Sequence, residues 1–158
     1  MNINDNIEKV LISEEELKKR IKELSLEISK DYEDKNPVML CLLKGSVSYY
    51  AHLCENMYIP LEYEFLRASS YHGATSTGEV KLISLPTISL ENRHVIVVED
   101  IIDTGLTLKA IKEILMKMNP ASLAECIKNK SSKSATDKDS PTWIAAFEYP
   151  DGIDMTEE

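Results

Sequence analysis

The residues of this chain best equipped for chemistry lie together at positions 99–107, EDIIDTGLT. Glu99 and Asp100 follow directly on an apolar run, VIVV, at 95–98. Two adjacent acids at the end of a buried strand are costly unless something solvates or binds them. After two isoleucines come Asp103, Thr104, Gly105, Leu106 and Thr107, which lead into a stretch of helical apolar spacing. The free N–H groups and the dipole of a helix start hold anions, and the two threonines add hydroxyl donors. One loop thus offers an oxyanion cradle with carboxylates beside it. A sugar phosphate fits, with its phosphate on the N–H groups and its ribose hydroxyls on the acids. An isolated D-T-G is more often a plain helix cap. Four apolar residues, two acids, two more apolar residues and D-T-G-x-T form a far more specific pattern.

The elements that must position this loop can be read from periodicity. Ser13 followed by Glu16 is a capping box, and Leu17, Ile21, Leu24 and Ile28 then share one helical face. VMLCLL at 38–43 is a short continuous apolar run, as in a parallel strand buried on both faces. Val47, Tyr50, Cys54 and Met57 predict a second helix. Strands are predicted at 61–67, 80–83, 95–98 and 122–127, with a last short one at 142–147. Leu106, Ala110, Ile111, Ile114, Leu115 and Met118 predict a third helix, stopped at Asn119-Pro120. Strands alternating with helices predict an α/β fold with a largely parallel sheet. Ligands of such sheets bind beyond the carboxyl ends of the strands, here just after Leu43 and just after Val98. The least structured stretches are 69–78 and 128–140.

Composition narrows the class. A chain of 158 residues suits one domain, 1–158, able to bury its own core. The net charge of −9 argues against a general nucleic-acid or anionic-membrane binder, while leaving room for a local phosphate site. No apolar run approaches the ~20 residues of a membrane span, and the N-terminus lacks the layout of a signal peptide. Cys41, Cys54 and Cys126 form no C-x-x-C pair, so neither a zinc site nor a disulfide framework is expected. The expected location is the cytoplasm. His52 and His94 sit in apolar contexts and read as structural.

VIVVEDIIDTGLT at 95–107 resembles the phosphoribosyl-pyrophosphate (PRPP) signature of type I phosphoribosyltransferases, in detail that of the hypoxanthine(-guanine) enzymes. VLISEEE at 10–16 resembles that family's opening, LLKGS at 42–46 its pyrophosphate loop, and SSY at 69–71 with STG at 76–78 its flexible loop. The likeness runs from about Val10 to about Lys130. It implies the type I phosphoribosyltransferase fold, with a hood over about 128–158. It further implies that Glu99 and Asp100 bind ribose hydroxyls and help position Mg²⁺. Asp103 becomes the general base at purine N7, and Thr104, Gly105, Leu106 and Thr107 hold the 5′-phosphate. Lys44 and Gly45 contact pyrophosphate, in a loop that in this family often contains a strained or non-proline cis peptide. Ser70 and Tyr71 lie in the loop that closes over the reaction. Lys130, or as runner-up Lys128, meets the purine O6. The implied partners are PRPP and a purine base, and the implied assembly is a homodimer or homotetramer.

The likeness fails near the end. FEYPD at 147–151 begins like the family's purine-binding hood, but GIDMTEE follows, without the usual stacking aromatic or late Asp. PTWI at 141–144 looks instead like the short hood of xanthine-guanine phosphoribosyltransferases. By that likeness Trp143, the one Trp in the chain, stacks on the base and the Ile144 backbone meets its edge. The expected activity is phosphoribosyl transfer to hypoxanthine or guanine. The alternatives are a xanthine-guanine enzyme and a non-catalytic nucleotide-binding regulator of the same fold.

Overall fold

The computed structural model describes residues 10, 12–70, 80–102, 106–131 and 143–149, with only the backbone described at 70, 102, 129–131 and 143–149. Helix α1, Glu14–Asp31, starts at the capping box read from sequence. Ser13 Oγ accepts from the Glu16 N–H at 3.2 Å, and Glu16 Oε2 accepts from the Ser13 N–H at 2.9 Å. Ile21, Leu24 and Ile28 are buried along one stripe. The small Ser25 shares that stripe and lets α1 approach its neighbour. Its hydroxyl lies 2.7 Å from the Ile21 carbonyl and 2.9 Å from that of Leu53.

The remaining elements are β1 Val38–Leu43, α2 Val47–Glu55, β2 Glu62–Ser70, β3 Val80–Ser84, β4 His94–Ile102, α3 Leu106–Met116, β5 Ser122–Ser131 and β6 Trp143–Tyr149. They build one six-stranded sheet in the order β3-β2-β1-β4-β5-β6. β3 runs antiparallel to β2, and every other pair is parallel. The α/β fold with a largely parallel sheet is thus present, as the sequence predicts.

Strand alternation sorts the core into two layers. Met39 and Cys41 of β1, Ile96 and Val98 of β4, and Ala124 and Cys126 of β5 pack against α1 and α2. Val38, Leu40, Val95, Val97, Leu123 and Ile127 pack on the other face, against Leu108, Ile111 and Leu115 of α3. β1 is buried along nearly all its length, which explains its unbroken apolar sequence.

Several elements depart from expectation. β4 continues four residues past Val98, so Glu99 and Asp100 are strand residues rather than loop residues. β5 likewise runs on to Ser131. α3 docks through Leu108, Ile111 and Leu115, while Leu106 is exposed. α2 docks through Tyr49, Tyr50, Leu53 and Cys54, leaving Val47 exposed and Met57 beyond its end. His52 is exposed rather than structural. His94 is held as expected, with Nδ1 2.7 Å from Ser122 Oγ and its ring edge-on to Tyr32.

Buried Glu64 of β2 is tied to the connection that follows β3. Burial alone would raise its carboxyl. Hydrogen bonds from the Thr87 hydroxyl and N–H, the Phe65 N–H and the Ile88 N–H instead hold it below the usual range. Among the described residues no helix is long and apolar enough to cross a membrane.

Candidate active site

The sheet order fixes where a ligand can enter. The chain leaves β1 toward β2 on one side, and β4 lies against β1 on the other. The connections beyond these two strands therefore diverge and leave a crevice at their carboxyl ends. The register Cys41↔Val98 brings Leu42 and Glu99 to one level, one residue further along.

Beyond β1 the Leu43–Lys44 peptide bond is cis, in the loop where the resemblance implies one. The Ser46 hydroxyl donates to the Leu42 carbonyl and closes the turn. Ser46 is fully buried, whereas Lys44 and Gly45 are exposed. A Cβ at Gly45 would meet nothing within 4 Å, so the backbone there is open to close approach. The loop thus combines an anchored base with a cationic, accessible tip.

At the end of β4, burial pushes the Glu99 carboxyl up to about 7. The Asp100 N–H, 2.7 Å from Glu99 Oε1, opposes that rise, the Asp100 charge adds to it, and the Ile101 N–H opposes it again. Asp100 points to the α1/α2 side of the sheet, like Val98. There Lys128 Nζ lies 3.1 Å from its Oδ1. The pairing is ionic, since that buried oxygen accepts no well-aligned hydrogen bond. α3 begins at Leu106, with Leu106 and Thr107 both exposed.

Lys44, Gly45, Glu99, Asp100, Leu106 and Thr107 therefore converge on one crevice. Ser70 ends β2, the strand beside β1, at the same edge of the sheet. Lys130 lies in β5 opposite Ile102, also toward that edge. The register does not bring Trp143 and Ile144 there. They open β6 opposite Glu125 and Cys126, well before the strand reaches the level of Lys130. Tyr71, Asp103, Thr104 and Gly105 lie outside the described residues. Sequence reasoning placed Ser46 in the pyrophosphate loop but missed its anchoring bond to Leu42, and it missed the pairing of Lys128 with Asp100. Strand parity could have found the second, had the two acids been read as part of the strand.

Either carboxylate suits Mg²⁺, although strand alternation turns Glu99 and Asp100 to opposite faces of the sheet. Glu99 and Asp100 offer hard carboxylate oxygens, and among the described residues no third His, Cys, Asp or Glu joins them in a metal-holding group. Mg²⁺ is commonly held by one or two carboxylates, with substrate oxygens and water completing the shell.

The phosphoribosyl transferase domain family matches residues 11–150. Over 122 residues the chain is 44% identical to the hypoxanthine-guanine-xanthine phosphoribosyltransferase of Tritrichomonas foetus, covering 77% of this chain and 67% of that one. Over 115 residues it is 50% identical to the hypoxanthine-guanine phosphoribosyltransferase of Lactococcus lactis subsp. lactis, covering 72% and 63%. A hypoxanthine phosphoribosyltransferase crystal structure from Staphylococcus aureus superposes with a TM-score of 0.86 at 34% identity, over 94% of this chain and 81% of that one. The chain belongs to the type I phosphoribosyltransferase family, in its hypoxanthine-guanine branch. It spans about two thirds of the length of the curated relatives named above.

Proposed function

We propose that the protein is a purine-salvage enzyme that moves the 5-phosphoribosyl group from PRPP to N9 of hypoxanthine or guanine, giving IMP or GMP and pyrophosphate. The observation that carries this reading is the meeting of the Lys44-Gly45 loop with Glu99 and Asp100 at the crevice between β1 and β4. In the reaction N9 forms a bond to C1 of the ribose, and the bond from C1 to the pyrophosphate oxygen breaks, its electron pair leaving with pyrophosphate. The N7 proton passes to Asp103. Lys44 and the N–H groups beside it stabilise the leaving charge. Residues 104–107 hold the 5′-phosphate, and the ribose hydroxyls meet Glu99 and Asp100. Glu99 and Asp100 would help position Mg²⁺, which pyrophosphate, ribose hydroxyls and water would mainly hold and which would add positive charge beside the leaving group. The oxocarbenium-like transition state must be kept from water, the role assigned to the loop containing Ser70 and Tyr71. Lys130 is the partner assigned to purine O6. A homodimer or homotetramer belongs to the same reading.

Xanthine stays in the substrate set because the Tritrichomonas foetus relative is named for all three bases. An assay with Mg²⁺, PRPP and each of hypoxanthine, guanine, xanthine and adenine tests the proposal. Turnover of hypoxanthine or guanine is expected, and no turnover of any purine overturns it. Asp103→Asn should lower kcat by about 10²–10⁴-fold while PRPP binding persists. A nucleotide-binding regulator would have no rate to lose.

A further inference from the structure

We infer that Lys128 is a positioning residue that holds the Asp100 carboxylate, and so orients it toward the ribose hydroxyls of PRPP. The inference rests on the function proposed above. Its basis is the β4–β5 ladder. Glu99↔Ile127 and Ile101↔Asn129 are paired, which makes Asp100 and Lys128 direct cross-strand neighbours. Both lie on the side of Val98 and Cys126, facing α1 and α2. Nζ stands 3.1 Å from Oδ1, and the two side chains are only 26% and 25% exposed.

An ordinary exposed pair across a ladder contributes little. This one differs in two respects. Asp100 Oδ1 has no accessible surface and accepts no hydrogen bond, so the lysine charge is what compensates it among the described residues. The face on which the pair lies is also packed rather than open: Tyr49 is buried there, with its hydroxyl 3.3 Å from Cys126 Sγ. With one oxygen turned inward to Lys128, the other is the one left for a ligand. Lys128 also offsets one of two adjacent acids at a crevice meant for a polyanion.

The test compares wild type, Lys128→Met, Lys128→Arg and Lys128→Gln, with Asp100→Asn alone and combined with Lys128→Met. PRPP affinity is read by calorimetry in Mg²⁺, KM and kcat by assay, and folding by thermal denaturation. Lys128→Met and Lys128→Gln should weaken PRPP binding and raise its KM about tenfold, with the KM for the base changed less than about twofold. Lys128→Arg should restore most of the loss. In the Asp100→Asn background, Lys128→Met should add nothing further. Unchanged PRPP affinity in a folded Lys128→Met protein overturns the inference and leaves the pair a strand contact. If that variant does not fold, Lys128→Gln decides in the same way. If wild type itself fails to bind PRPP, it is the proposed function that falls.

Discussion

Glu125 is a carboxylate that the proposed chemistry does not use, and its surroundings are hostile to charge. It sits in β5 on the α3 face, 1% exposed, with neither oxygen hydrogen-bonded. Burial pushes its carboxyl up, against the pull of Lys112, whose Nζ lies 3.8 Å away. A folded state with a raised value keeps a proton that the unfolded chain releases around its ordinary value of 4.5. Glu125 therefore costs no stability below about that pH, and stability falls as pH rises through it. Glu125→Gln should raise the melting midpoint by roughly 2–6 °C at pH 7 and leave it nearly unchanged at pH 4. A series of thermal melts from pH 4 to 8 checks this, and a midpoint lowered at pH 7 would refute it. Glu99 bears a similar burial cost, but at the crevice, where proteins commonly accept such a cost for function. In the sequence the two glutamates differ by their setting: Glu99 is joined to Asp100 at the end of an apolar run and followed by D-T-G, whereas Glu125 stands alone within SLAECIK.

Among the elements, the turn from β1 into α2 bears most directly on the site. Ser46 has the N-cap position of α2 but forms no side-chain cap; its hydroxyl goes back to the Leu42 carbonyl. Ser46→Ala should lower stability by about 1–2 kcal/mol. The check is a urea titration in which the midpoint moves and the slope does not; an unmoved midpoint would show that the turn closes without the hydroxyl. Elements with a single strong signal were legible in advance: the capping box of α1 and the unbroken apolar run of β1. Helix faces were less so. α3 has Leu106, Leu108, Ile111, Ile114, Leu115 and Met116 within little more than three turns, enough for two overlapping apolar stripes. Only packing on Val95, Val97 and Leu123 selects the one through Leu108. The ends of β4 and β5 were hidden for a different reason. Acids and lysines are poor strand formers by propensity, yet here they pair across a ladder whose register the buried halves of the strands already set.

At the scale of the whole molecule, a chain of net charge −9 must gather a polyanionic substrate. Attraction therefore has to be local: the exposed Lys44 tip, the start of α3, and Lys128 set against Asp100. The reversal of strand order between β1 and β4 brings these groups together from distant parts of the sequence. That convergence was legible as a rule about carboxyl ends of strands, whereas the level of Trp143 in β6 was not, because it depends on a register no local pattern encodes. The most direct test is a crystal of the full chain grown with guanosine 5′-monophosphate. The phosphate should lie against residues 103–107, with the ribose hydroxyls toward Glu99 and Asp100, beyond the ends of β1 and β4. A nucleotide seated elsewhere, or a crevice filled by the protein's own side chains at saturating nucleotide, would contradict the account.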